Sequence, residues 1–164
     1  MDTSIDTVEH LYEVLKDFDT AMVVTQSFEG RVHARPMRIA ELDQDGLVYF
    51  VASSESEKVA EIIAGPFITV VFQGSKRFAS LSGQATIVRD PALIERLWSD
   101  SWKIWFPKGR DDTDICLIEF DADQGEYWDN AGAQGLKFLF EAAKAYAAHR
   151  PATVDAKQHA KVAL

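Results

Sequence analysis

The segment Arg31–Lys58, RVHARPMRIAELDQDGLVYFVASSESEK, decides the fold. Two apolar-rich runs, 31–42 and 47–52, flank the turn signal Asp43-Gln44-Asp45-Gly46. Two such runs around a turn read as antiparallel strands joined by a short loop. Pro36 inside the first run cannot donate a ladder hydrogen bond, which places it at an edge or a bulge. The second run leads into Ser53-Ser54-Glu55-Ser56-Glu57-Lys58, a helix entrance. Ser54 and Glu57 have the spacing of a capping box, in which each side chain satisfies a backbone N–H at the helix start.

Outward from this segment the same reading continues. Upstream, Ile5, Val8, Leu11, Tyr12, Leu15 and Phe18 share one helical face, with Thr3 and Asp6 as a capping pair. Ala21–Thr25 is a strand and Phe28-Glu29-Gly30 a turn. Downstream, Val59, Ile62 and Ile63 form the apolar side of a helix that Gly65-Pro66 ends, with the glycine left-handed. Phe67–Gln73 and Phe78–Val88 are strands around a turn at 74–77, and Gly83 marks a bulge. Asp90-Pro91 opens a short helix with Leu93, Ile94, Leu97 and Trp98 on one face. Residues 99–114 are irregular despite Trp102, Trp105 and Phe106. Ile115–Phe120 is a strand, and Gly125–Asp129 a further short one. A helix from Ala133 carries Leu136, Leu139, Phe140, Ala143 and Ala147 on one face, and the chain is expected to fray after Pro151. The expected fold is therefore mainly β with peripheral helices, an antiparallel barrel of six to seven strands. It forms a single domain over residues 1–150, followed by a tail at 151–164. Strands and helices do not alternate, which disfavours a parallel nucleotide-binding sheet.

Composition narrows the function. Twenty-six acidic residues against seventeen basic ones give a net charge of −9, so no basic face is expected for nucleic acid. The single Cys116 lies in the apolar run Ile115–Ile118 and reads as a core residue. The start of the chain lacks a signal-peptide pattern, and no apolar run approaches the ~20 residues of a membrane span. The expected location is cytoplasmic. P-loop, dinucleotide-fold and nucleophile-elbow motifs are absent. His10, His33, His149 and His159 show no metal-ligand spacing, so no metal is expected. Asp111-Asp112-Thr113-Asp114 lacks the glycine and spacing of a calcium loop.

Two features carry chemistry. Ser53, Ser54, Ser56 and Lys58 place hydroxyls and a cation at a helix N-terminus, where free N–H groups and the helix dipole favour a phosphate. In the strand, His33, Arg35 and Met37 face one way, and the interrupted pairing at Pro36 frees backbone groups for a ligand. Each alone is ordinary: a capped helix with an exposed lysine, and a surface arginine beside a core methionine. On neighbouring strands, with Phe50–Ser53 alongside Arg35–Met37, they could hold a flat ring at one end and its phosphate at the other.

Five motifs in order resemble those of the bacterial general stress proteins of the pyridoxamine 5′-phosphate oxidase-like superfamily. They are Arg35-Pro36-Met37; Val48–Ser53 with Ser56-Glu57-Lys58; Phe78–Gly83; Trp105–Gly109 with Asp111-Asp112; and Glu126–Asp129. Together they span roughly residues 5–130. The resemblance implies an FMN-binding split β-barrel, a homodimer with FMN at the interface. Arg35, Pro36 and Met37 would touch the isoalloxazine ring. Phe50, Val51, Ala52 and Ser53 would line the ring and ribityl chain through their backbone, and Ser56 and Lys58 would hold the phosphate. Trp105 and Trp128 would lie near the flavin or the dimer contact. The true oxidases carry a basic residue before the phosphate-binding lysine, and here that residue is Glu57, which argues against vitamin B6 oxidase activity. Three readings remain open: an FMN-dependent oxidoreductase of unknown small-molecule substrate, a flavin-binding module without turnover, and a barrel for another flat cofactor such as a deazaflavin or heme. No residue stands out as a catalytic acid or base.

Overall fold

The computed structural model describes residues 3–43, 46–152 and 154–164. The expected turn residues Gln44 and Asp45, and the side chains of the Thr3–Asp6 capping pair, lie outside the description. The strands are β1 (Thr20–Gln26), β2 (Val32–Leu42), β3 (Val48–Ser53), β4 (Phe67–Gln73), β5 (Arg77–Val88), β6 (Ile115–Asp129) and β7 (His159–Ala163). The helices are α1 (Thr3–Leu15), α2 (Glu57–Ala64), α3 (Pro91–Leu97) and α4 (Gly132–Ala147), with a 3-10 helix at Asp100–Ile104. The sheet order is β3-β2-β1-β4-β5-β6-β7, and a β3–β6 pairing closes the first six strands into a barrel. Every pairing is antiparallel. The expected antiparallel six- to seven-stranded barrel is thus observed.

β6 is the strand that makes closure work. Its first half pairs with β3 (Ile115↔Ser53 to Phe120↔Val48), and the same edge then takes β7 (Gln124↔Ala163 to Trp128↔His159). Ile115, Cys116, Leu117 and Ile118 are all buried because this stretch is covered on both faces. Cys116 and Ile118 enter the barrel core with Phe50, Phe72, Phe120 and Tyr127, while Leu117 enters a second cluster with Ile94, Trp102 and Phe106. Each fully buried aromatic or aliphatic side chain contributes about 1.5–3 kcal/mol. Gly83 sits at the β5 register shift, where a Cβ would lie 2.0 Å from the Asp121 carbonyl oxygen.

Several expectations need correcting. The two strands foreseen at 115–120 and 125–129 are one strand of 15 residues, because β5 supports it along almost its whole length. The tail does not fray: β7 pairs with β6 and buries Val162. The Ser54–Glu57 capping box does not form. Ser54 instead donates through its backbone N–H and its hydroxyl to Asp114 (both 2.8 Å), and the N-cap is Ser56, with no side-chain cap bond. Gly65 is extended (φ −142°), not left-handed, since the following Pro66 restricts it and the chain runs straight into β4. On α2, Ile63 faces outward and Glu61 inward, so the apolar side is Val59 and Ile62 around a buried carboxylate. The apolar face foreseen on α4 is present but bare: Leu136, Leu139 and Phe140 are all exposed, and Ala145 is buried. The Asp90 cap is as expected, its Oδ1 accepting from Ala92 N at 2.9 Å. Among the described residues, no helix is long and apolar enough to cross a membrane.

Candidate functional site

The site begins where β2 changes partners. Val32–Arg38 pairs with β1 (Val23↔Arg35, Met22↔Pro36, Ala21↔Met37), whereas Ile39, Glu41 and Leu42 pair with β3, across a bulge. The bulge bends β2, so the expected alignment of Phe50–Ser53 with Arg35–Met37 is corrected: β3 meets β2 at Ile39↔Phe50 and then leaves it. Beyond that point Val51, Ala52 and Ser53 pair with β6 alone, and Arg35–Met37 pair with β1 alone. Among the described residues, no strand pairs with the facing edges of these two stretches, and Pro36 sits on one of them.

Side chains sort by alternation along the strands. On β2 the expected triad His33, Arg35 and Met37 does face one way, inward, and Met37 joins the barrel core. Ala34 and Pro36 face outward and are exposed. On β3, Phe50 and Ala52 are core residues, while Val51 packs against the Trp102–Phe106 cluster. These three can therefore present only backbone to a ligand at the split. Ser53 and Ser56 lie at the turn into α2, where Ser56 Oγ donates to the Ser53 carbonyl at 2.7 Å. The N–H groups of Glu57 and Lys58 meet no acceptor among the described residues, as befits the first turn of a helix.

Beneath the β2 edge lies a group that sequence reasoning missed. Glu61 is 3% exposed, and its Oε2 accepts from Thr25 Oγ1 at 2.5 Å and from an Arg35 Nη at 3.1 Å. Its Oε1 is 2.6 Å from His33 Nδ1, and the other Arg35 Nη donates to Thr25 Oγ1 at 2.6 Å. Burial pushes the Glu61 carboxyl up, but the bonds from Thr25, His33 and Arg35, with the Arg35 charge, outweigh it and hold the pKa below the usual range. The overlooked signal is a glutamate one turn after Lys58, between Val59 and Ile62 on the face that packs on β1. His33, Glu57 and Glu61 offer ligand atoms within 4.8 Å of one another. Arg35 already sits on Glu61, and its charge disfavours a metal ion there.

Lys58 is half-buried and has no carboxylate within ion-pair distance among the described residues. Burial, and next the nearby Arg35 charge, lower its pKa. A cation that is desolvated, faces another cation and has no counter-ion beside two free N–H groups suits an anion such as a phosphate. Asp114 is the competing charge, held low first by the hydroxyls of Ser53 and Ser54. Those hydroxyls are partly committed to it.

The two tryptophans lie apart. Trp105 ends the 3-10 helix and is 63% exposed, beside the buried Trp102 and Phe106. Trp128 faces outward on β6, stacked on His159 (ring centroids 5.2 Å, 11° between planes), and His159 Nε2 lies 2.8 Å from Glu126 Oε1. Four strand steps separate β6 from β2 around β5, β4 and β1. The β3–β6 pairing is the shorter way round, but Trp128 lies in the half of β6 beyond it, opposite Phe78 of β5 and His159 of β7. A shallow depression of about 360 Å³ adjoins Glu126, lined also by Ser80, Ser82 and Lys161.

The family described as "Pyridoxamine 5′-phosphate oxidase like" matches residues 6–152. The chain is similar to a candidate general stress protein 26 from Jannaschia sp. CCS1, with 26% identity, a TM-score of 0.74, and coverage of 98% of this chain and 99% of that one. It is also similar to the general stress FMN/FAD binding protein of Xanthomonas citri, with 28% identity, a TM-score of 0.66, and coverage of 78% and 92%. A pyridoxamine 5′-phosphate oxidase-related, FMN binding protein of Nostoc punctiforme PCC 73102 shares the fold, with a TM-score of 0.62 at 14% identity over 97% and 95%. No curated protein matches the chain.

Proposed function

The chain belongs to the pyridoxamine 5′-phosphate oxidase-like family, and from that premise we propose that it binds FMN across the split between β2 and β3 as a general stress flavoprotein. The observation that carries this reading is Lys58, the half-buried cation with no counter-ion among the described residues, beside the free N–H groups of α2. Lys58 and Ser56 would hold the phosphate, with Phe50, Val51, Ala52 and Ser53 offering backbone along the chain. Arg35, Pro36 and Met37 would border the ring, Arg35 from beneath the edge where Glu61 holds it. Bound FMN would supply hydride and electron chemistry; the protein would bind it, orient it and tune it.

The complete site needs a second copy. The outward face of β1, β2 and β4 carries Met22, Val24, Ala34, Pro36 and Val71 in adjoining registers, with Val32 (66% exposed) and Phe67 (70%) at its end. An apolar sheet face of this kind fits an interface between subunits. A homodimer would bring Trp128 of one subunit, and Trp105, toward the flavin of the other. We assign the protein to the cytoplasm on the same reading.

The leading activity is oxidoreduction of a small molecule. Hydride transfer asks no proton of the protein, and vitamin B6 oxidase activity is not expected, since Glu57 precedes Lys58. One observation favours a flavin carrier without turnover: His33 and Arg35 are engaged by Glu61, and Asp114 by serines, so few ionisable groups are free to act. The absorbance spectrum of the purified protein, then anaerobic mixing with NADH and NADPH, separates these readings. A flavin spectrum that bleaches supports the oxidoreductase, and one that bleaches with neither donor favours the carrier. Colourless protein that binds no added FMN refutes the cofactor.

A further inference from the structure

We propose that Glu61 is a positioning residue: its buried carboxylate clamps the Arg35 guanidinium against Thr25 and balances its charge, and so sets the positive field that the β2 edge presents to a bound flavin. The inference rests on the FMN reading above and assigns a role to a residue that touches no ligand.

The geometry is that of a clamp. Arg35 spends one Nη on Glu61 Oε2 (3.1 Å) and the other on Thr25 Oγ1 (2.6 Å), and Thr25 itself donates to the same carboxylate oxygen (2.5 Å). Three groups on three elements, β1, β2 and α2, close a ring that leaves the guanidinium little freedom. His33 takes the second oxygen at 2.6 Å, so both carboxylate oxygens are occupied. A buried carboxylate is costly to keep charged, and the sheet–helix contact here would pack well around an apolar residue. Its placement beneath Arg35, one turn after Lys58, points to a charge-setting role. The ionisable groups facing one another are Arg35 and His33 from β2 and Glu57, Lys58 and Glu61 from α2; β1 contributes the neutral Thr25. Removing the Glu61 charge leaves Arg35 and Lys58 as two cations with no buried anion between them. Both FMN phosphate and the negatively charged reduced ring are then held more strongly.

The test has two arms. In ligand-free protein, nitrogen-detected NMR of arginine side chains should show Arg35 restrained in the wild type and released in Glu61→Gln. In FMN-loaded protein, spectroelectrochemistry should show E61Q raising the reduced-to-oxidised ratio at a fixed potential about ten-fold, or ~30 mV for a two-electron couple. Glu61→Asp draws the carboxylate back by one methylene and should give about three-fold in the same direction. It also serves if E61Q does not fold. Because Glu61 acts through Arg35, the E61Q shift should fall below about two-fold in an Arg35→Met background. An unchanged potential in folded, FMN-bound E61Q or E61D overturns the inference. So does a guanidinium equally restrained without the carboxylate, or an undiminished shift when Arg35 is absent. A merely structural ion pair would alter thermal stability and leave the potential where it was. Failure of the wild type to bind FMN refutes the flavin reading instead, and the ligand-free arm still decides whether Glu61 holds Arg35.

Discussion

Replacing Lys58 with alanine tests the phosphate assignment most directly. The Lys58 ammonium lies half out of water, near Arg35, with no carboxylate partner among the described residues, and its pKa is lowered first by burial and then by Arg35. A phosphate there would relieve both penalties. A hydrogen bond to a charged group contributes about 1.5–3 kcal/mol, so Lys58→Ala should weaken FMN binding by roughly ten- to hundred-fold. The pH dependence gives a second signature. Binding the anion favours the protonated amine, so wild-type affinity should fall as pH rises through the lowered Lys58 pKa of the free protein. In K58A that limb should flatten. Isothermal titration with FMN, at several pH values, measures both. Thermal melts of ligand-free protein supply the control: removing an unpaired, desolvated cation should leave stability equal or raise it. An unchanged dissociation constant, or an alkaline limb that survives in K58A, would refute the placement of the phosphate at Lys58.

Other substitutions test the scaffold. Asp129 is 1% exposed; burial pushes its pKa up, but Arg77, the Ala131 N–H and His10 outweigh this and hold it low. Arg77→Met should cost about 3 kcal/mol in urea unfolding at neutral pH, the lower end for breaking a buried pair, since Arg77 is partly exposed. The contribution of Asp129 is present above the ordinary carboxylate range and lost as pH falls through its depressed value, so the acid-side slope of stability should be shallower in R77M. Gly83→Ala should destabilise by about 1–3 kcal/mol or more, because the added methyl meets backbone oxygen. Gly65→Ala, at an extended residue where a Cβ would meet the Glu61 carbonyl oxygen only at an ordinary 3.8 Å, should be neutral or stabilising by up to about 1 kcal/mol, and a large loss there would restore the left-handed turn. Deleting residues 157–164 should lower the melting temperature and promote association measured by light scattering, since it bares the β6 edge at Gln124–Trp128 and the cover over Tyr127.

Local chemistry explains what was legible. Strand runs, the Gly83 bulge and the Asp90-Pro91 helix start depend on neighbours in sequence, and they stand where the pattern placed them. Apart from Gly65, which the adjacent Pro66 restricts, the misses are cases where a distant group won. Asp114, sixty residues away, draws Ser54 out of its capping role. β5 props β6 into one long strand, and β6 in turn supplies the edge that orders β7. Ile63, expected on the apolar side of α2, faces outward because the helix packs Glu61 onto Thr25, Arg35 and His33 of two strands.

By itself, the sequence determined the barrel class and the positions of β1 to β5 along the chain. Hydrophobic alternation, turn residues and proline's missing donor act within a few residues and need no partner. The tertiary structure alone decided that the two strands part beyond Ile39 and Phe50, that Lys58 has no counter-ion among the described residues, and that Arg35 is tied to a buried Glu61. Those are facts of distance and burial between segments far apart in the chain, and an interaction energy depends on where two groups finish in space, not on their spacing in sequence.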